Sequence, residues 1–222
     1  MVASAVAGSA LRQGESVTPY EHLSAAERYI HQTRDAAWLD LLRERGFGDL
    51  SEQRIVEIGC AEGSLLRTLL HHGATPGRLT GIDIDPQRLR RAPRSAGRVA
   101  MSDGAALPYR DGVFDLAFAF TFLSSVIDPE VRRRAAAEAL RVLRHSGLLL
   151  VYDFWTNPVN SRVRPLGKRE LASLFAPHAI EIRSVTLAPP IVRALGGRQA
   201  LCAPFERLSF LRTHLLAAVS KE

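Results

Sequence analysis

Three acidic side chains stand at the ends of apolar runs, and they carry the chemistry most plainly written in this chain. Glu57 lies in Arg54-Ile55-Val56-Glu57-Ile58, which leads into Gly59-Cys60-Ala61-Glu62-Gly63 and restarts as Ser64-Leu65-Leu66. Asp83 closes the next apolar run, Leu79-Thr80-Gly81-Ile82-Asp83, and Asp103 follows Met101-Ser102. An ionised carboxylate only accepts hydrogen bonds, so it suits a hydroxyl-bearing ligand such as a ribose. Small residues in the turn let a ligand touch the main chain, and the helix that follows offers free N–H groups. A strand, a glycine turn and a helix, with an acid about twenty residues further on, build a nucleotide pocket in α/β sheets. Asp85 before Pro86 reads instead as a helix cap with proline at the first helical position. The ligand's acid is therefore assigned to Asp83.

The spacing then narrows the ligand. A dinucleotide turn reads Gly-x-Gly-x-x-Gly, whereas here Glu57 is followed by Gly59-x-Ala61-x-Gly63. That order resembles motif I of class I S-adenosylmethionine-dependent methyltransferases. The run Asp103-Gly104-Ala105-Ala106-Leu107-Pro108-Tyr109, with Phe114-Asp115 opening the next strand, is similar to that family's third and fourth motifs. Glu138 to Leu150 resembles its next helix, turn and strand, with the usual basic-Pro-Gly-Gly altered to His145-Ser146-Gly147-Leu148. Four ordered resemblances cover residues 54–153. They imply S-adenosylmethionine as cofactor, with Asp103 accepting from the adenine amino group and the Gly104 N–H meeting a ring nitrogen. Glu57, Gly59, Cys60, Ala61, Gly63, Asp83, Ile84, Asp103, Gly104 and Phe120 make up the expected cofactor set.

The elements that must hold these residues follow from periodicity. Strands are expected near 54–58, 78–83, 97–101, 114–120, 147–153, 179–187 and 209–219, and helices near 63–72, 86–91, 130–144 and 167–176. Residues 20–46 carry helical spacing in two stripes, Leu23, Ala26, Tyr29, Ile30 and Ala37, Trp38, Leu41, Leu42. Alternating strands and helices predict an α/β, Rossmann-like, seven-stranded, mostly parallel sheet with helices on both faces; by the resemblance, the last strand is antiparallel. One domain is expected over 1–222. It comprises an N-terminal helical cap at 1–50, a cofactor-binding core at 51–155, and the rest of the sheet at 156–222 with a lid-like insert at 188–206. Gly196-Gly197 and Pro189, Pro190 and Pro204 could serve a moving lid or a rigid packed loop.

A sulfonium donor already carries a good leaving group, so placement supplies much of the acceleration, and a base helps a hydroxyl acceptor. Asp153, read as facing the pocket mouth, is the favoured base, with His31 behind it; Phe122, Ser124, Tyr152, Trp155 and Asn157 are the expected acceptor contacts. Residues 152–160, Leu187 to Pro190 and Leu211 to Leu216 are similar to stretches of small bacterial methyltransferases of the broad type-11 group. Phe120 to Ser125 lacks the Pro-Pro run of exocyclic-amine enzymes and the Pro-Cys nucleophile of cytosine-C5 enzymes. No carboxylate stands at the end of the fourth strand, so no catalytic metal is expected.

The net charge of +6 over 222 residues raises a nucleic-acid alternative. The basic residues are nearly all arginines, Lys168 and Lys221 being the lysines, and they are spread out. They are read as surface bias, so a small-molecule acceptor is preferred over RNA or a ribosome. An S-adenosylmethionine-binding module without catalysis is the other alternative. Cys60 and Cys202 make no disulfide framework and read as free thiols. Residues 1–10 read as a frayed tail rather than a signal peptide, and no apolar run is long enough to span a bilayer. A cytoplasmic protein is expected; the sequence is silent on oligomeric state.

Overall fold

A computed structural model describes Tyr20, residues 22–93, Ser95, and residues 97–157 and 162–222. The readings placed on residues 1–10 and on Asn160 lie outside these. The first helix, α1 (Ala25–Glu44), starts on a capping box: Ser24 Oγ accepts from the Glu27 N–H, and the Glu27 carboxylate accepts from the Ser24 N–H. Its two stripes have different partners. Ala26 and Tyr29 pack with Leu187, Val192 and Cys202, while Trp38, Leu41 and Leu42 pack on the sheet through Leu116, Phe118 and Leu150.

The strands are β1 (Ile55–Ile58), β2 (Leu79–Asp83), β3 (Arg98–Met101), β4 (Phe114–Phe120), β5 (Leu143–Phe154), β6 (Ala179–Leu187) and β7 (Arg212–Ser220). They form one sheet in the order β3-β2-β1-β4-β5-β7-β6. β7 runs antiparallel to both its neighbours, and the remaining pairings are parallel. The order reverses between β1 and β4, which makes the crevice at their carboxyl ends the switch point of the sheet. The helices α2 (Ser64–His71), α3 (Pro86–Leu89), α4 (Pro129–Arg141) and α5 (Lys168–Phe175) connect these strands. One core layer places Val56, Ile58, Ala117 and Val151 against α4 and α5; the other places Ile55, Phe118 and Leu150 against α1 and α2.

Three boundaries differ from the sequence expectation. α4 ends at Arg141 and β5 begins at Leu143, before the expected turn. A register shift between Phe114 and Leu116 absorbs the intervening residues, and the Lys221 ammonium donates to the Arg141 and Leu143 carbonyls. β7 begins at Arg212, after a short 3-10 turn over Ser209–Leu211. The insert at 188–206 holds two short helices, α6 (Pro189–Ala194) and α7 (Gln199–Glu206), rather than a bent loop. Pro189 and Pro190 open the first of them, where the missing N–H costs nothing.

Candidate functional site

A cleft of about 500 Å³ opens at the carboxyl ends of β1, β2 and β4. It gathers Gly59, Ala61, Asp83, Ile84, Asp103 and Gly104, six of the ten cofactor residues read from the sequence. The turn after β1 is pinned to β2, with the Gly59 and Cys60 N–H groups donating to the Ile82 carbonyl at 2.7 and 2.8 Å. Asp83 is both ligand candidate and strut. Its Oδ2 accepts from the Ala61 N–H at 2.8 Å and its Oδ1 from the Asp85 N–H at 2.9 Å. A carboxylate has about four acceptor positions, so lone pairs remain for a ribose. Asp85 caps α3 as expected, accepting from Gln87 N–H at 2.7 Å.

Asp103 is exposed and folds its own turn, Oδ1 accepting from the Ala105 N–H at 2.9 Å. Ile84 is 69% exposed on the rim, an apolar surface facing an open cleft. The floor is Phe122. A Cβ on Gly59 would fall 2.8 Å from its ring, and one on Gly104 would fall 2.5 Å from it. Phe122 was expected on the acceptor side; it spans the two glycines beneath the cleft instead. Thr121, a β-branched residue at φ 50°, turns the chain sharply after β4 and lines the same cleft. Arg88, Ser102, Ser125, Val126, Val131, Phe154 and Val163 also line it, although the sequence reading assigned none of them to the site.

The other expected cofactor residues support the cleft from behind. Cys60 is buried with Sγ against Gly81, and burial pushes its thiol pKa up. Gly63 precedes α2 at φ 72°. Phe120 is buried among Phe118 and Tyr152 on the α1 face. Glu57 faces the same side, and burial raises its carboxyl well above the ordinary range, opposed by the charge of Arg34 and a hydrogen bond from the Leu66 N–H.

The expected acceptor residues scatter. Asp153 does not face the pocket mouth: it is 1% exposed and accepts from the Ser124 N–H at 2.9 Å and the Phe154 N–H at 3.0 Å. Burial lifts its pKa to about 6 despite those bonds and the nearby Arg132. Ser124 is fully buried. Tyr152 stacks on His214, its hydroxyl 2.9 Å from Thr186 Oγ1. Trp155 donates to the Arg212 carbonyl at 2.8 Å and lines a separate hollow with Phe210 and Lys168. Asn157 is half-buried in the loop after β5. His31 lies on α1 beside Tyr20, off the cleft, where burial and Arg34 lower its pKa to about 4. Alternation explains the scatter: Phe120 and Tyr152 point to the α1 face, Asp153 to the α4 face.

Two further expectations are decided by packing. Arg132 is no surface residue: it is fully buried, donating to the Val126 and Arg164 carbonyls and to Glu170. Arg45, Arg141, Arg144 and Arg183 are each engaged by acidic partners, so the excess charge is not gathered into a stripe there. The Gly197 bend is packed, since a Cβ there would fall 2.4 Å from the Ala25 carbonyl oxygen of α1. No helix among the described residues is long and apolar enough to cross a membrane.

The sequence pattern of the methyltransferase domain family matches residues 56–151. A 37.1 kDa protein of a transposon from Streptomyces fradiae is 36% identical over 101 residues, covering 43% of this chain and 28% of that one. The malonyl-[acyl-carrier protein] O-methyltransferase of Geobacter sulfurreducens is 35% identical over 103 residues, covering 43% and 36%. The chain thus spans about a third of the length of these curated relatives. Among solved structures, the PH0226 protein of Pyrococcus horikoshii superposes with a TM-score of 0.63 at 15% identity, over 88% of this chain and 91% of that one. The [4+2]-cyclase SpnF superposes with a TM-score of 0.60 at 22% identity, over 83% and 80%. These two likenesses show the fold alone.

Proposed function

We propose that this chain is a class I S-adenosylmethionine-dependent methyltransferase, a reading that the methyltransferase-domain match over residues 56–151 supports, and that it transfers the methyl group to a hydroxyl of a small molecule, without a metal. The observation that carries the reading is the cleft itself: the Gly59 turn, Asp83, Ile84, Asp103 and Gly104 line one cavity at the switch point. On this reading residues 51–155 bind the donor, while residues 1–50 and 188–206 cover the acceptor. Asp83 takes the ribose, and Asp103 with Gly104 the adenine. Asp153 positions the turn over Leu123–Ser125 through Ser124, and the acceptor's proton goes to solvent or to a group of the acceptor pocket. The rival RNA reading needs a continuous basic face, and Arg132, Arg141 and Arg144 are spent on internal or paired contacts.

Calorimetry with S-adenosylmethionine, S-adenosylhomocysteine and NAD tests the donor; binding of NAD alone would sink it. Transfer of a labelled methyl group is then followed to a panel of small hydroxylated acceptors and to bulk RNA. Salt-sensitive labelling of RNA alone would replace the acceptor reading. Binding without transfer to any acceptor would favour a non-catalytic module.

A further inference from the structure

The cleft at the switch point has two unlike halves. The loops after β1, β2 and β3 supply one, with the Asp83 and Asp103 carboxylates and the Arg88 guanidinium. The loops after β4 and β5 and the start of α4 supply the other, with Ser125, Val126, Val131, Ala135, Phe154 and Val163. Phe122 stands where the halves meet, its ring against Gly59 and Gly104. The donor contacts read from the motifs that line the cleft all fall in the first half. The second is left for the acceptor.

Among its described residues the second half carries no ionisable side chain. The charges beside it in sequence are committed elsewhere. Asp153 accepts from the Ser124 and Phe154 N–H groups, and Arg132 donates to the Val126 and Arg164 carbonyls and to Glu170. The polar side-chain atoms on the wall are of one kind. The Ser125 hydroxyl gives its proton to the Thr121 carbonyl at 2.9 Å, and the Thr121 hydroxyl gives its own to the Phe120 carbonyl at 2.8 Å. Each oxygen keeps lone pairs and has no proton left to donate. The Ser125 and Val126 N–H groups are likewise taken, by the Phe122 and Leu123 carbonyls. A carboxylate entering here would shed water and meet no side-chain donor, at full desolvation cost. An uncharged O–H meets an acceptor, and an apolar body attached to it meets an aliphatic and aromatic wall.

We propose that this half of the cleft selects an uncharged acceptor, a phenol or other alcohol on an apolar frame, whose O–H is donated to Ser125 Oγ and whose frame lies against Val126, Val131, Phe154 and Val163. This rests on the donor reading above and narrows its acceptor: sugars and carboxylated alcohols fall outside it. The hydrogen bond fixes the direction of the O–H, and so of the lone pair that attacks. That pair forms the new O–C bond while the S–C bond breaks and its electrons go to sulfur, leaving S-adenosylhomocysteine. The acceptor's proton leaves to solvent.

The test measures binding by calorimetry to the protein saturated with S-adenosylhomocysteine near neutral pH. The probes are 2-naphthol, 6-hydroxy-2-naphthoate (the same ring with a carboxylate), 2-methoxynaphthalene (the same ring without an O–H) and glucose. 2-Naphthol should bind at least tenfold more tightly than the naphthoate, and glucose should not bind measurably. Ser125→Ala should weaken 2-naphthol about tenfold and leave 2-methoxynaphthalene unchanged, and Ser125→Thr should restore 2-naphthol. Val163→Asp should weaken 2-naphthol about tenfold or more and leave S-adenosylhomocysteine unchanged. Equal or tighter binding of the naphthoate or of glucose would overturn the proposal, as would a protein that holds S-adenosylhomocysteine but not 2-naphthol. Loss of both S-adenosylhomocysteine and 2-naphthol in a Val163→Asp protein with wild-type circular dichroism would give the wall to the donor and overturn it too. A wild type that binds no S-adenosylhomocysteine would instead refute the donor reading beneath it.

Discussion

Asp153→Asn isolates a single buried charge. The carboxyl is 1% exposed, and burial lifts its pKa from 3.8 to about 6 although two N–H groups donate to it. A folded pKa above the unfolded one means that the folded chain holds the proton more tightly. Below about pH 4 both states are protonated and no stability is lost. As the pH rises through about 6 the folded chain must accept a buried charge, and stability falls. A shift of about two units corresponds to about 3 kcal/mol. Asparagine does not titrate. It keeps one carbonyl oxygen for two N–H donors, an offset of about 1–2 kcal/mol that does not change with pH. The stability of Asp153→Asn relative to the wild type should therefore improve by about 3 kcal/mol between about pH 4 and pH 7, whatever its value at the acid end. Urea unfolding at a series of pH values, extrapolated to water, reads the difference directly. Parallel stability profiles for the two proteins would refute the argument that this carboxyl is buried and strained by its charge. Donor affinity at neutral pH should be unchanged, because Asp153 lies outside the cleft.

Asp83→Ala should weaken S-adenosylhomocysteine about ten- to a hundredfold and also lower the melting temperature, since Asp83 anchors the Ala61 and Asp85 N–H groups; calorimetry and thermal melts separate the two losses. Gly104→Ala should cost roughly 1–3 kcal/mol by driving a methyl group into Phe122, and most of that cost should vanish in a Phe122→Ala background in a double-mutant cycle. Arg132→Met should cost about 3 kcal/mol in urea unfolding, because it strands the Val126 and Arg164 carbonyls. A surface arginine would cost far less.

The parts of the site that sequence reading reached are those imposed by the backbone over a short span. A turn that must pass Gly59 and Gly104 close to one ring demands glycine at both, and Asp83 ends β2, the parallel strand next to β1 at the switch point. The two stripes of α1 were legible for the same local reason, although not their different partners. What escaped was set by residues distant in sequence. Arg34 owes its place to Phe120 and Tyr152, Asp153 to Ser124, and Trp155 to the Arg212 carbonyl. The start of β5 depends on Lys221 near the far end of the chain. Pro189 and Pro190 did carry a local signal. They read as bends because prolines break helices, yet at the first turn they begin one.

The seat of Gly197 against Ala25 bears on how this chain can be altered. The first turn of α1 and the joint between α6 and α7 are shaped to each other at backbone distance, far apart though they are in sequence. Grafting one of them from a relative with another contour would set a side chain against a carbonyl or leave a void. The two segments are therefore expected to tolerate exchange only as a pair. A recombination library that exchanges residues 20–46 and 188–206 together should yield far more folded members than one that exchanges either alone.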